Sequence, residues 1–291
     1  MKIGIGAGSY TWYGIGEGSK RAREHGYDCF DFGGFIHTET EFFKQPEESF
    51  RAELIRYREL VEAEGIVIWQ AHAPWCCPER DLTPEGRAEQ LACYLKAVRG
   101  AGYLGAKCFV IHAIMPYGMN SPENPERMRD LNASFMGRLA EEAKEYGVGH
   151  IFVENLPFPQ LPINHPDQCL DFVKRMNRET NSDIFKVCLD TGHANFCGTD
   201  PADAVRLLGK EYLGALHVHD NNGKADQHYI PGKGTIDWRA FSDALEEIGF
   251  EGALSFETAV PHEIPEGEER DRQELALAET GLKFAKRTKR N

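Results

Sequence analysis

The sequence has little positive charge. Its 291 residues include 33 Lys and Arg against 46 Asp and Glu, which gives a formal net charge of −13. A protein that binds nucleic acid through its phosphates needs an excess of basic residues, at least locally. Such an excess occurs only near the end of the chain, at Lys283–Arg290, where a basic cluster is typical of a solvated helix terminus. We therefore do not expect nucleic acid as a partner.

The sequence also lacks long apolar runs, a signal peptide and paired cysteines. Charged residues interrupt every apolar segment well before the roughly 18 residues that a membrane-spanning helix needs. The start, Met1–Ala7, enters a strand-like run without the regions of a secretory signal. The eight cysteines, Cys76 and Cys77 among them, form no C-x-x-C pair. These absences predict a protein of the reducing cytoplasm that does not bind membranes.

What the sequence does contain is an alternation of short β-rich runs with longer segments of helical periodicity. Hydrophobic residues make up 41% of the chain, enough for a sizeable core. Eight strands are predicted, each followed by a helix, and such an order favours parallel pairing. The predicted strands are Lys2–Ala7, Cys29–Phe32, Ile66–His72, Lys107–His112, His150–Glu154, Phe185–Asp190, Ala215–His219 and Ala253–Glu257. We predict an α/β fold, a single (β/α)8 TIM barrel over residues 1–291 with a C-terminal helical extension from about residue 268 to residue 291.

A doubly wound open sheet is the alternative fold. Spaced glycines do follow the first strand, in the segment Gly4–Ser9. However, no acidic residue ends the second strand in the context that a dinucleotide-binding fingerprint requires. The barrel therefore remains the preferred prediction.

Potential metal ligands recur where the predicted strands end. In a barrel, the carboxyl ends of all strands meet on one face, which is where active sites of this fold lie. Converging carboxylates and imidazoles would be costly to bury without a counter-charge, and a divalent cation supplies one. The set Glu154, Asp190, His217 and Glu257 suits Mn²⁺, Mg²⁺, Co²⁺ or Zn²⁺. His217 and His219 share a strand face, so their spacing does not decide which of them is the ligand.

Further polar residues surround this set. The loop after the seventh strand contributes Asp226 and His228, and His72, His112 and His193 follow other strands. Three roles are open for these five: contact with substrate hydroxyls, which we favour, additional metal ions, or structural support. A second group of residues is assigned to the wall of the pocket, namely Trp12, Phe35, Trp75, Asn155, His219 and Lys233. For the three aromatic residues, a role in the core or in helix packing is an equal alternative.

Several motifs resemble the xylose-isomerase-like barrel superfamily, specifically its sugar phosphate isomerase/epimerase group, which includes ketose 3-epimerases and inosose dehydratases. The motifs are Val153–Asn155, Leu189–His193, His217–Asn221, Asp226–His228 with Pro231–Trp238, and Ser255–Glu257. The resemblance implies one divalent metal ion held by Glu154, Asp190, His217 and Glu257, and so favours His217 over His219. It also implies that Glu154 and Glu257 act as acid and base on opposite faces of the substrate.

The same residues resemble endonuclease IV more distantly. Its three zinc ions use additional positions that correspond to His72, His112, His193, Asp226 and His228, so further metal ions stay open. An endonuclease IV-like phosphodiesterase acting on abasic DNA is accordingly one alternative function. The acidic balance of the chain counts against it.

The favoured function is a metal-dependent isomerase or epimerase that transfers a proton through an enediolate of a sugar, keto-sugar or cyclitol. A lyase of the same superfamily, either an inosose-type dehydratase or a C-glycoside-cleaving enzyme, is the first alternative, because expelling a β-hydroxyl from the same intermediate gives dehydration. The scarcity of basic residues near the predicted pocket favours a neutral substrate over a phosphorylated one. The sequence leaves a homo-oligomer open and shows no signature of an interface.

Overall fold

The computed structural model describes residues 1–75, 82–120, 122–261, 264–265 and 267–287, with side chains up to residue 284. Cys76 and Cys77 lie outside this part of the chain. The six cysteines within it are free thiols. None of the described helices is both long enough and apolar enough to cross a membrane.

Eight parallel strands close into a barrel in chain order, and the first strand pairs with the eighth. The predicted (β/α)8 TIM barrel is therefore confirmed, and the predicted strands differ from the observed ones by at most two residues at either end. The strands are β1 Lys2–Gly6, β2 Cys29–Phe32, β3 Val67–His72, β4 Cys108–Ile111, β5 His150–Glu154, β6 Phe185–Asp190, β7 Leu213–Val218 and β8 Ala253–Phe256.

Helices connect the strands and cover the outside of the barrel. Three of them begin with proline directly after a side-chain cap, because proline needs no hydrogen-bond acceptor at the first helical position. The capping residues are Thr83, Asn124 and Asp200. The described helices are α1 Gly8–Thr11, α2 Ile15–His25, α3 Glu41–Lys44, α4 Glu47–Ala63, α5 Pro84–Tyr103, α6 Pro125–Glu145, α7 Pro166–Glu179, α8 Thr191–Phe196, α9 Pro201–Tyr212, α10 Trp238–Glu247 and α11 Glu268–Arg287.

The last helix, α11, packs against β1 and against the helices α2 and α10. It therefore occupies the position of the eighth barrel helix, although the sequence suggested an extension there. Its Arg270 is 1% exposed and donates to Glu274 and to the carbonyl oxygens of Pro261 and Ile264. These bonds anchor the chain that follows β8 to the barrel.

The hydrophobic core of the described residues has two main parts, and a third cluster of Met115, Met128, Leu156 and Leu161 lies apart from them with Phe158 packed against it. The larger part lies between the strands and the surrounding helices, as expected for strands that are covered by helices. The smaller part lies inside the barrel and consists of Cys108, Val110, Phe152, Cys188 and Ala215, against which Trp69 packs. These side chains fill the lumen, so the two ends of the barrel are separated by apolar packing.

Candidate metal and active site

The four predicted metal ligands meet at the carboxyl end of the barrel. Glu154 ends β5, Asp190 ends β6, His217 lies near the end of β7, and Glu257 directly follows β8. Each offers one ligand atom, and these atoms all lie within 4.8 Å of one another. His217 Nδ1 lies 2.8 Å from Glu154 Oε1 and 3.3 Å from Glu257 Oε2. Glu154, Asp190 and His217 are buried, whereas the side chain of Glu257 is 37% exposed.

The orientation of His217 is set by a residue on another strand. Its Nε2 donates to Asp31 Oδ2 over 3.0 Å, and Gln70 donates to the same oxygen over 2.7 Å. A metal-binding histidine typically donates its second N–H to a carboxylate in this way, which fixes the tautomer and the ring orientation. Because Nε2 carries a proton, Nδ1 is left to face Glu154 and Glu257.

In three further imidazoles, one ring nitrogen likewise donates to an acceptor while the other faces a carboxylate, although the two nitrogens have exchanged roles. The Nδ1 atoms of His72, His193 and His228 donate to the carbonyl oxygens of Ala73, Asn155 and Glu257, over 2.8, 2.9 and 2.7 Å. Each Nε2 atom then faces a carboxylate: His72 faces Glu154 at 3.3 Å, while His193 and His228 face Asp226 at 3.2 and 3.3 Å. A nitrogen lone pair and a carboxylate both accept hydrogen bonds, so each pair requires either a second proton on the ring or a cation.

The carboxylates raise the pKa values of these imidazoles. Burial alone lowers the pKa of His193, but Asp190 and then Asp226 raise it to about 10. His228 behaves in the same way: burial lowers its pKa, but the bond to Asp226 and the charge of Glu257 together raise it to about 9. Burial would raise the pKa of Glu154, but the nearby imidazoles hold it well below its usual range. The cluster therefore demands positive charge, which a metal ion supplies by replacing the protons.

The donor set fits a divalent cation. Glu257 Oε2 is buried yet accepts no hydrogen bond, which leaves it available as a ligand. Glu154, Asp190, His217 and Glu257 together present mainly oxygen donors with one nitrogen. Two adjoining groups have the same ligand chemistry: His72 and His112 with Glu154, and Asp226 with three imidazoles at positions 193, 219 and 228.

Asp190 is positioned by its neighbours in the chain and in space. The amide of Asn155 bonds to both backbone groups of Asp190, over 2.8 and 3.0 Å, which ties β5 to β6. Asp190 Oδ1 accepts from the backbone N–H of His193 and caps the short helix α8. Its Oδ2 accepts from His219 Nε2 over 3.0 Å. A Cβ atom at Gly192 would lie 2.0 Å from the His219 ring, so this contact requires glycine.

The loop between β7 and α10 carries Asp226 and His228 over the cluster. Asp220 anchors this loop by accepting from the backbone of Gly232 and Gly234 and from Trp238 Nε1, each over 2.9 Å. His228 has a φ of 48°, a left-handed conformation that is strained for a residue with a side chain. The anchored loop maintains that conformation and stacks the ring of His228 on His219, with ring centroids 3.9 Å apart.

A cavity of about 290 Å³ opens above the cluster. Trp75 lies in its wall, and its ring centroid is 4.7 Å from that of His112. The lining contains neither Lys nor Arg among the described residues. It consists of Ile36, His72, Trp75, His112, Leu156, Pro157, Phe158, His193, Asp226, His228 and Glu257.

The other predicted wall residues have different environments. Phe35 does not form the wall of the cavity: it is fully buried in the outer core, the other role open to it, where Phe32 and Phe50 pack against it. Trp12 is 42% exposed and stacks under the guanidinium of Arg270. Asn155 and His219 are buried beside Asp190, and Lys233 is exposed; neither these three nor Trp12 lines the cavity.

Asp31 and Gln70 are the site residues that sequence reasoning missed. Both lie within strands rather than at strand ends, in the apolar contexts Phe30–Phe32 and Trp69–Ala71. A polar side chain inside an otherwise apolar strand was the available signal, since it needs a buried partner. Here the partner of Asp31 is His217, and the partner of Gln70 is Asp31. The apolar wall residues Ile36 and Phe158 carried no comparable signal.

The closed barrel, with potential metal ligands gathered at the carboxyl end of its strands, defines a TIM-barrel protein with a candidate metal site. The model of the xylose isomerase-like TIM barrel family matches residues 19–287, and the chain belongs to that family. It is 29% identical over 265 residues to an uncharacterised protein of Methanocaldococcus jannaschii, a match that covers 88% of this chain and 83% of that one.

Two further comparisons concern sugar epimerases. A D-psicose 3-epimerase of Ruminiclostridium cellulolyticum is 33% identical over 122 residues, which are 42% of this chain and 38% of that enzyme. A solved structure of a D-tagatose 3-epimerase-like protein has a TM-score of 0.73 and 24% identity, and covers 99% of this chain and 98% of its own. The structural likeness concerns the fold.

Proposed function

We propose that this protein is a divalent-metal-dependent epimerase or isomerase of a neutral sugar, keto-sugar or cyclitol. One observation carries the proposal: two glutamates, Glu154 and Glu257, reach the same imidazole nitrogen of His217 from different strands, within 2.8 and 3.3 Å. Paired carboxylates that flank one substrate carbon can remove and return a proton. The similarity to D-psicose 3-epimerases supports the same chemistry.

Glu154, Asp190, His217 and Glu257 would hold the cation. When bound, a divalent cation polarises a substrate carbonyl, which lowers the barrier to removing a proton from the adjacent carbon. Glu257 faces the cavity and has one carboxylate oxygen without a hydrogen bond, so we assign it the role of the base that takes this proton. Glu154 is fully buried, and we assign it the role of returning a proton from the other side.

The remaining residues of the cavity bind and orient the substrate. His193, Asp226 and His228 present polar atoms that can bond to sugar hydroxyl groups. Trp75, Leu156 and other apolar side chains pack against sugar C–H groups and exclude water. Because no lysine or arginine lines the described cavity, a substrate without phosphate is favoured.

The product depends on which carbon receives the returned proton and from which face. Return to the same carbon from the opposite face gives an epimer, and return to the neighbouring carbon interchanges aldose and ketose. Loss of a β-hydroxyl gives the lyase outcome, which is the first alternative. The groups His72, His112 and Asp226 with His228 match the additional ligand positions of endonuclease IV, which keeps cleavage of abasic DNA as the second alternative.

The test is turnover of ketohexoses, ketopentoses and keto-cyclitols in deuterated water, with NMR detection of deuterium next to the carbonyl carbon. We expect wild type to incorporate deuterium and to form an epimer or isomer. Glu257→Gln and Glu154→Gln should both lose incorporation. Loss of a hydroxyl with a new carbonyl product would instead establish the lyase.

An abasic DNA duplex is the parallel substrate. Strand cleavage by wild type, together with no deuterium incorporation across the sugar panel, would overturn the proposal in favour of the nuclease. Glu251→Gln is a matched control, because Glu251 is an exposed glutamate on the opposite side of the barrel. Its turnover should equal that of wild type.

A further inference from the structure

A second cavity, of about 320 Å³, lies at the amino end of the barrel strands. The apolar lumen residues Cys108 and Phe152 form part of its floor, so it is separated from the carboxylate cluster at the other end. It has the size at which small-molecule pockets begin, about 300 Å³. Its lining is Trp69, Lys107, Cys108, His150, Phe152, Lys186, Lys210, Leu213, Gly214, Phe250, Glu251 and Gly252.

Lysines concentrate around this cavity, although the chain as a whole has a net charge of −13. Lys107, Lys186 and Lys210 line it, and Lys2 Nζ lies 5.8 Å from the ring centroid of Trp69. The one carboxylate in the described lining, Glu251, pairs with Lys210 over 3.0 Å. Among the described residues, no carboxylate forms an ion pair with Lys2, Lys107 or Lys186. Three ammonium groups are thus left without a protein counter-ion.

The cavity also holds two polar atoms that lack partners. Trp69 Nε1 and His150 Nδ1 are both buried and bond to no described protein atom. Buried polar atoms are rarely left without a hydrogen bond, so each such atom calls for an explanation. His150 stacks on Phe152 with ring centroids 5.9 Å apart, and this pair with Trp69 and Phe250 gives the cavity aromatic surface. Burial and then Lys186 lower the pKa of His150, against a smaller raising effect of Asp183 and of the backbone of Ile184.

We propose that this cavity is a binding site for a small organic anion that carries a planar ring, such as an aryl phosphate. The ammonium groups of Lys107 and Lys186 would neutralise the anionic group, and Trp69 Nε1 would donate to it. The aromatic side chains would contact the ring of the ligand. The site is at the opposite end from the proposed active site, so it stands independently of the proposed function.

The test uses three probes that separate the two parts of the proposed ligand. Phenyl phosphate has a ring and a dianion, inorganic phosphate has only the anion, and phenol has only the ring. Isothermal titration of the metal-loaded protein should show saturable binding of phenyl phosphate at least tenfold tighter than that of either fragment. The double variant Lys107→Gln/Lys186→Gln should weaken this binding at least tenfold.

Binding of phenyl phosphate at the metal centre must be told apart from binding at the lysine cavity. The double variant Lys20→Gln/Lys144→Gln carries the same charge change on outer helices and should bind as wild type does. In NMR spectra, phenyl phosphate should shift the ring signals of His150 but not those of His228. Absence of saturable binding, or equal affinity in wild type and in Lys107→Gln/Lys186→Gln, would overturn the proposal.

Discussion

The two ends of the barrel hold cavities of similar size but opposite chemistry. The cavity at the carboxyl end, of about 290 Å³, is lined by carboxylates and imidazoles without lysine or arginine among the described residues. The cavity at the amino end, of about 320 Å³, is lined by three lysines and a single carboxylate. The same eight strands form the barrel between the two cavities. Which end of a strand a polar residue occupies therefore decides the kind of ligand that it meets.

The two ends also differ in the charge of the partner that their polar groups lack within the protein. At the carboxyl end, imidazoles and carboxylates bond to one another, and a carboxylate oxygen, Glu257 Oε2, is among the buried atoms left without a hydrogen bond. At the amino end, lysines and N–H donors lack acceptors. The first end thus requires a cation and the second requires an anion, and each prediction below tests one side of this contrast.

The largest expected effect is on catalysis. Replacing Glu257 by Gln removes the proposed base and should lower kcat by about 10²–10⁴-fold. The matched substitution Glu251→Gln at the other end should change kcat by less than about twofold, because solvated surface groups contribute little. Steady-state turnover of a substrate that wild type converts in the panel of ketohexoses, ketopentoses and keto-cyclitols measures both. Equal losses in the two variants would show that the ends are not functionally distinct.

Metal affinity should respond to the residue that orients His217. Asp31→Asn weakens the acceptor of its Nε2–H, and changes of this kind reduce metal affinity by about 10–100-fold. Competition with a chromophoric chelator measures the affinity. Asp243→Asn, at an exposed position on α10, is the control and should bind metal as wild type does. An unchanged affinity in Asp31→Asn would remove His217 from the ligand set.

The packing around Asp190 is expected to tolerate no added methyl group. In Gly192→Ala, the new Cβ would lie 2.0 Å from the His219 ring, and such overpacking typically costs about 1–3 kcal/mol of unfolding free energy. Gly137→Ala, in the middle of α6 with no atom near its Cβ position, should instead stabilise the helix by about 0.5–1 kcal/mol. Chemical denaturation compares the two. A stable Gly192→Ala variant would contradict the observed contact with His219.

The smallest expected effect is electrostatic and lies at the amino end. Burial and Lys186 both lower the pKa of His150 in the folded protein, so protonation favours unfolding as the pH falls below the unfolded value. Lys186→Gln should raise the pKa of His150 and reduce this loss. NMR titration of the His150 ring measures the shift, with Lys20→Gln as the control. A pKa that does not rise would place Lys186 too far away to act.

The fold could be predicted because its signals are local and repeated. All eight strands are short β-rich runs, and Val67–His72 and Phe185–Asp190 each end in a residue of the site. The helix α8 was missed because a stretch of six residues, Thr191–Phe196, is too short to show helical periodicity. Its formation depends on capping by Asp190, which becomes visible only in three dimensions.

The site was predictable to the extent that strand ends converge in a barrel. That rule selects Glu154 and Asp190 without knowledge of side-chain direction. It does not reach Asp31, which acts from within a strand, nor does it exclude Phe35, whose direction depends on the turn after β2. Spacing could not separate His217 from His219 either. In the structure, His217 Nδ1 faces two glutamates, whereas His219 Nε2 faces Asp190.

The most direct test of the central claim is reconstitution of the chelated protein with Mn²⁺, Mg²⁺, Co²⁺ or Zn²⁺ while hydrogen exchange between substrate and solvent is followed. The account predicts that exchange is absent after chelation and returns as the Glu154, Asp190, His217 and Glu257 site fills, with saturation at one metal ion per chain. Exchange that persists after complete removal of metal would contradict this prediction. A failure of all four cations to restore exchange would contradict it as well.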